Sequence, residues 1–465
     1  MPEQVTVSVL LPVQQFTSPH DPYLSEFEIT ISYLKYHTVP SLLYRYKSMR
    51  YNKLSIFIIT LFIIVFIMHN MDGICTDIIF YNGKIVTVDD KFSIKEAVAV
   101  KNGRIENVGS NAAVLQFSEP QTQRIDRNGK TVLPGLIDAH LHPTGASTSE
   151  IFEEIPDVTS LQELLEYISS QKKIKRTTDW IVHPKFFPTR MIEMREPTLI
   201  ELDNVAPDHP VFLNGSYAGI VNSCAMRLAG ISNNMQNPGI HKDPVTGEPT
   251  GKIKASVFPL IKKHYYRGIL NLDRKQLFDI IAVAHEFGWK MTAHVTGGGG
   301  VDMLLDAYEN ANKETPISGR RFSIIHGNFY TKKAIDRCKR LGVIADFQPA
   351  WFYKDANAMR YILGDERIKA FLPIRSMLEA GIILNAGSDH MVKYDSYRSI
   401  NPYHPFLSMW TLITRKTDRG SVICPTEAIS RKQALKMYTI NNAYGTFEEH
   451  IIGSSNCEIN CSNFI

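Results

Sequence analysis

From Thr76 onward the chain reads as short apolar runs punctuated by glycine turns. Ile78 to Tyr81, Asn82-Gly83 and Lys84 to Val88 predict a hairpin, and Ala97 to Val100, Asn102-Gly103 and Arg104 to Gly109 predict a second. Residues 76–132 therefore read as a small β-sandwich. After His142 the period changes. Leu161 to Ile168 and Leu272 to Phe287 carry apolar residues at helical spacing, while Asp179 to Val182, Val211 to Leu213 and Lys290 to Val295 read as strands. The alternation continues as strand Phe322 to His326, helix Lys332 to Lys339, strand Val343 to Phe347, helix Ile368 to Ala380 and strand Ile382 to Asn385. Gly239 to Gly251 reads as a loop, and Ser430 with Gln433 predicts a capping box for a helix over Arg431 to Tyr438. Repeated strand–helix units predict a parallel sheet, open or closed, over residues 133–446, with 447–465 as an irregular tail.

Ahead of this lies an irregular extension, residues 1–53, and then a segment apolar on every face. Leu54 to Met68 is interrupted only by Ser55 and Thr60. As a helix these fifteen residues span roughly 22 Å, short of a hydrocarbon core of about 30 Å, so a signal peptide fits better than a full span. Arg45, Lys47, Arg50 and Lys53 precede the run, and Asp72 and Asp77 follow it, which places the N-terminus in the cytosol and the remainder across the membrane. Translation from Met49 gives a signal peptide of ordinary length, with cleavage after Cys75; translation from Met1 gives an uncleaved anchor. The expectation is a secreted or membrane-anchored protein, with residues 54–70 as signal peptide or anchor.

The 465 residues allow one large domain and a small one, and a net charge of +4 gives no electrostatic case for nucleic acid. Six cysteines, Cys75, Cys224, Cys338, Cys424, Cys457 and Cys461, describe neither a disulfide framework nor a zinc-finger pattern.

The chemistry gathers around Pro134-Gly135-Leu136-Ile137-Asp138-Ala139-His140-Leu141-His142-Pro143. On a strand, residues two apart project to the same face, so His140 and His142 can reach one metal ion. His294, His326 and Asp389 stand where later predicted strands end, the place where a (β/α)8 barrel carries its catalytic residues. Singly, each has a structural explanation; together they form a nitrogen and oxygen donor set that suits zinc, and also manganese, iron or nickel, as one or two ions. Such a cation acidifies a bound water to a pKa of about 7, and Asp389 takes its proton and passes it to a departing nitrogen.

These strings resemble the amidohydrolase superfamily, and within it the amidohydrolase 3, or YtcJ-like, group. The matching stretches run from about Thr76 to Phe447. They include Pro188-Thr189-Arg190, Ala206-Pro207-Asp208-His209-Pro210-Val211, Val221-Asn222-Ser223, Gly247-Glu248-Pro249-Thr250-Gly251, Ala293-His294-Val295-Thr296-Gly297, Gly387-Ser388-Asp389-His390 and Asn401-Pro402-Tyr403. The resemblance implies an α/β (β/α)8 TIM-like barrel, complete or shortened, with a small flanking β-sandwich. It implies hydrolysis of a carbon–nitrogen bond other than a peptide bond in a small molecule, and a divalent metal, commonly zinc. It places His140, His142, His294, His326 and Asp389 at metal positions, with Asp389 also catalytic.

Three departures qualify it. The lysine segment that such relatives use to bridge two metals is missing; Lys252, Lys254, Lys262 and Lys263 are the remaining candidates, and only 43 residues separate Gly251 from His294. Tyr217 stands where a histidine is common, and strands returning to the small sheet after the barrel are not evident. The shortened middle predicts an internal deletion. Two further readings stay open: an impaired relative or truncated gene product with a binding role only, and a deaminase of the same superfamily.

Overall fold

The computed structural model describes residues 5–7, 31–33, 75–150, 154–215, 218–254 and 274–455. They fall in two units, Met1–Asn70 and Met71–Ile465. In the first, β1 (Val5–Val7) pairs antiparallel with β2 (Ile31–Tyr33), where the sequence predicts only an irregular extension.

The expectation of secretion or membrane attachment is corrected. No helix among the described residues is long and apolar enough to cross a membrane. The 54–68 run that carried the expectation lies outside the described residues.

The second unit opens with seven short strands: β3 (Ile78–Tyr81), β4 (Lys84–Val86), β5 (Ile94–Lys95), β6 (Ala97–Lys101), β7 (Arg104–Gly109), β8 (Gln123–Asp126) and β9 (Thr131–Val132). They form two sheets, β7-β6-β3-β8 and β5-β4-β9. The β6–β7 hairpin forms as the sequence predicts, with Asn102 and Gly103 both at positive φ (50° and 69°), as a type I′ turn requires. The predicted β3–β4 hairpin does not form. Asn82 has φ 51° but Gly83 does not share the left-handed conformation, so β4 leaves for the other sheet. Burial explains the separation: Ile79 packs with Ala97, Ala99 and Val114, whereas Ile85 packs with Val98, Ile105 and Val132.

Next comes a five-stranded sheet of β10 (Ile181–His183), β11 (Val211–Asn214), β12 (Ala218–Val221), β13 (Ile240–Lys242) and β14 (Pro249–Lys254), in the order β10-β11-β12-β14-β13. Only β10 and β11 run parallel. The stretch read as a loop is the β13–β14 hairpin. Asp243 Oδ1 accepts from the Val245 and Thr246 amides at its turn, and Ile240 and Ile253 are buried against Phe212 and Val221.

The last sheet is wholly parallel: β15 (Thr292–Thr296), β16 (Ser323–Gly327), β17 (Ile344–Phe347) and β18 (Leu384–Ala386), in sequence order. Helices Gly298–Glu314, Lys332–Leu341 and Pro349–Arg367 cross between successive strands. Leu304, Leu305, Tyr308, Ile324, Ala345, Phe347 and Leu384 are at most 1% exposed within one shared core, and each leucine, isoleucine or phenylalanine among them contributes about 1.5–3 kcal/mol. The predicted helix Ile368 to Ala380 is broken. A 3-10 turn, Ile368–Ala370, ends before Leu372 at φ 49°, and Pro373 precedes a second helix, Ile374–Glu379. Residues 137–142 run beside β18: Ala139 N donates to Ala386 O at 3.2 Å, Asp389 N to His140 O at 2.7 Å and His142 N to His390 O at 2.7 Å.

This is an α/β, TIM-barrel-like arrangement, but among the described residues the strands do not close into a ring. Among the described residues the β10 and β15 sheets share no hydrogen-bonded strand pair, and one helix, Arg274–Glu286, lies between β14 and β15. β15 is left as an edge with Thr292, His294 and Thr296 exposed.

Candidate metal centre

Each predicted ligand is set by the backbone around it. Ile137 to His142 is held against β18 by Asn442, whose Nδ2 donates to Ile137 O (2.6 Å) and Ala386 O (2.8 Å) while its Oδ1 accepts from Ala386 N (3.1 Å). Asp138 Oδ1 accepts from the amides of His140 (3.1 Å) and Ser388 (2.9 Å), tying the histidine segment to the loop after β18. Gly387 permits that approach, because a Cβ there would lie 2.5 Å from His140 N and 2.8 Å from Asp138 Oδ1. Two of the predicted residues, His326 (φ 65°) and Asp389 (φ 53°), adopt left-handed backbone, a conformation costing of order 1–3 kcal/mol at a non-glycine residue and concentrated at functional sites.

The side chains meet. Ligand atoms of His140, His142 and Asp389 all lie within 4.8 Å of one another. Asp389 Oδ1 is 3.0 Å from His142 Nε2 and 3.4 Å from His140 Nε2, and Oδ2 is 4.0 Å from His326 Nε2. The His326 ring is 5.3 Å from that of His140 and 4.4 Å from that of His294. His294 thus stands at the rim, on the exposed edge strand, and reaches the cluster through His326.

The donor atoms suit a cation. Despite the short separations, Asp389 Oδ1, His140 Nε2 and His326 Nε2 are buried without an aligned hydrogen bond. Buried polar atoms normally find partners, so several unsatisfied ones facing one point are what a metal's ligands look like with the ion subtracted. Burial opposes ionisation of Asp389, but the His140, His142 and His326 imidazoles outweigh it and hold its carboxyl well below the usual range. Burial pushes His326 down to about 3, which keeps it neutral as a ligand must be. For His140, burial is outweighed by the Asp389 carboxylate and the net shift is upward.

Several neighbours had no clear signal in the sequence. Trp351 donates Nε1–H to Asp389 Oδ2 at 2.8 Å. It occupies the first turn of the helix that begins at Pro349, directly after β17. Arg190 lies 5.1 Å from its ring and is clamped by Asp355 (Nη2 to Oδ2, 3.2 Å) and Asn401 (2.9 Å); Asn401 in turn donates to Asp389 O at 3.0 Å. Asp346, buried on β17, is pushed by burial up to about 7. Of the candidate bridging lysines, Lys252 pairs with Glu196, Lys254 is exposed, and Lys262 and Lys263 lie outside the described residues, as does Tyr217. Nearby, Phe352 is buried in the core and His390 packs on Tyr403 at 4.2 Å.

Residues 123–269 and 257–454 match the family described as "Amidohydrolase family". The N-substituted formamide deformylase of Arthrobacter pascens is 24% identical over 494 residues, covering 80% of this chain and 89% of that protein. YtcJ of Bacillus subtilis (strain 168) is 22% identical, covering 80% and 90%. Eighty per cent of 465 residues is about 372, so about 120 positions of the 494 aligned with the deformylase have no counterpart here. Among solved structures, metal-dependent hydrolases of Pyrococcus furiosus (19% identity, TM-score 0.52, covering 83% of this chain and 98% of that one) and Pyrococcus horikoshii OT3 (16%, 0.55, 83% and 96%) share the fold.

Proposed function

The chain belongs to the amidohydrolase family, and we propose on that premise that it is a metal-dependent hydrolase of a carbon–nitrogen bond, other than a peptide bond, in a small amide. The observation that carries this reading is the convergence of His140, His142 and Asp389 within 4.8 Å, with His326 beside them. In it His140, His142, His294, His326 and Asp389 hold one or two divalent ions, zinc first among the metals that this donor set suits. When bound, the metal supplies Lewis acidity toward a carbonyl oxygen and a water. Asp389, ionised and fixed by the Trp351 N–H, accepts the water's proton through the oxygen facing the histidines and delivers it to the departing amine nitrogen. His326, neutral and buried, keeps a lone pair available.

The resemblance to a formamide deformylase suggests the first substrates to try. Full-length protein loaded with zinc, manganese or iron and given a panel of N-substituted formamides should release amine and formate. No release from any pairing of metal and substrate overturns the proposal for this substrate class. A second reading, a binding protein without turnover, is favoured by the open edge at β15 and the exposure of His294 there; the same assay separates the two.

A further inference from the structure

Among the described residues no strand pair joins the β10 sheet to the β15 sheet that carries His294 and His326. One side chain reaches from the first toward the second beside the candidate metal centre. Arg190 ends the 3-10 turn Pro188–Arg190, which follows β10, and its side chain is 13% exposed. Its Nε and Nη2 grip the two oxygens of Asp355 at 3.3 and 3.2 Å. Nη2 also donates to Asn401 Oδ1 at 2.9 Å, and Nη1 donates to Ile400 O. Thr189, its neighbour in the turn, adds Oγ1–H to Asp355 Oδ1 at 2.8 Å. The guanidinium lies over the Phe187 ring at 4.6 Å and the Trp351 ring at 5.1 Å.

These contacts lead to one residue by two routes. Trp351 and Asp355 stand four apart on the helix that follows β17, so they share a face and a single cation can hold both. Trp351, so packed, donates to Asp389 Oδ2 at 2.8 Å. Asn401 is buried, and with its Oδ1 taken by Arg190 it donates Nδ2–H to Asp389 O at 3.0 Å. The first route fixes the carboxylate. The second fixes its backbone, which is left-handed at φ 53° and depends on its surroundings to stay so. A pair serving stability alone needs only Asp355; the further bonds to Ile400 and Asn401 and the packing on Trp351 are what direct Arg190 to Asp389. A planar guanidinium fork serves both routes at once, whereas a lysine ammonium is a point charge on a flexible stem.

We propose that Arg190 is a positioning residue for Asp389: by holding the Trp351 and Asn401 arms together it fixes the carboxylate that accepts the water's proton. What Asp389 does rests on the hydrolase reading; how it is held does not. The test compares the full chain with Arg190→Lys and Arg190→Met, each labelled with 5-fluorotryptophan and freed of metal. Trp351→Phe assigns the Trp351 fluorine resonance, and Trp180, Trp289 and Trp410 serve as references. The Trp351 resonance should shift in both variants, and zinc should bind about tenfold more weakly in equilibrium dialysis. With zinc loaded and the panel of N-substituted formamides supplied, kcat should fall at least about tenfold with KM within about twofold, and lysine should not restore it. Should Arg190→Met fail to fold because Asp355 is left buried and unpaired, the double variant Arg190→Met, Asp355→Leu, which removes both charges, takes its place. An unmoved Trp351 resonance in a folded variant, a parental kcat in Arg190→Lys, or a raised KM with kcat unchanged overturns the role. A parent chain without turnover, together with the shifted resonance and weakened zinc binding in the variants, would remove the hydrolase and leave the positioning of Asp389.

Discussion

At the scale of single residues, the account assigns different work to the two oxygens of Asp389. Oδ1 faces His140 and His142, and Oδ2 accepts from Trp351. Asp389→Asn keeps the shape and removes the proton acceptor, so turnover should fall by at least about 10²-fold, the scale of general acid–base catalysis, with metal still bound; activity and metal content measured on one preparation check this. Trp351→Phe should leave substrate binding nearly unchanged and lower kcat, because a carboxylate without its donor is less well oriented. Steady-state kinetics that showed only a raised KM would count against the positioning role. His183 makes a separate prediction about stability. Its folded pKa of about 4 lies below the ordinary 6.5, so the folded chain refuses a proton that the unfolded chain accepts below pH 6.5. Its contribution is complete above that pH and is lost as the pH falls toward 4, by about 2 kcal/mol between pH 7 and 5. Urea titrations at those two pH values should show the loss, and His183→Phe should reduce it.

At the scale of elements, legibility followed the range of the interactions. Elements set by local chemistry were plain: the Asn102-Gly103 turn, the Ser430–Gln433 capping box and the amphipathic helix Arg274–Glu286 all occupy their expected places. Elements set by distant packing were not. Nothing near Asn82-Gly83 announces that β4 pairs with β9 rather than β3, and the β13–β14 hairpin forms because Ile240 and Ile253 find Phe212 and Val221. The site divides in the same way. Histidines and a carboxylate at strand ends carry a pattern, whereas Trp351, Asn442 and Asn401 reach the site from helices and loops whose place depends on the whole fold. The close approach of the loop after β18 to the His140 segment depends on Gly387. Gly387→Ala would drive a methyl group into His140 N, and a clash with backbone should cost about 2 kcal/mol or more in chemical denaturation and scatter the ligands.

At the scale of the whole molecule, the arrangement is half familiar. Four parallel strands and the 137–142 segment set the ligands as a barrel would, while among the described residues the β10–β14 sheet does not join them into a ring. The sequence departs from the family pattern in the short interval between Gly251 and His294. An open edge at β15 makes the His294 side of the site the weaker one. His294→Ala should therefore reduce metal retention less than His140→Ala, which equilibrium dialysis against zinc can compare. The most direct test of the central claim is metal analysis of the purified full-length chain and of a His140→Ala, His142→Ala double variant. The account predicts near one or two equivalents of a divalent transition metal in the first and loss of most of it in the second; clearly substoichiometric metal in the parent chain, or an equal content in the two proteins, would contradict it.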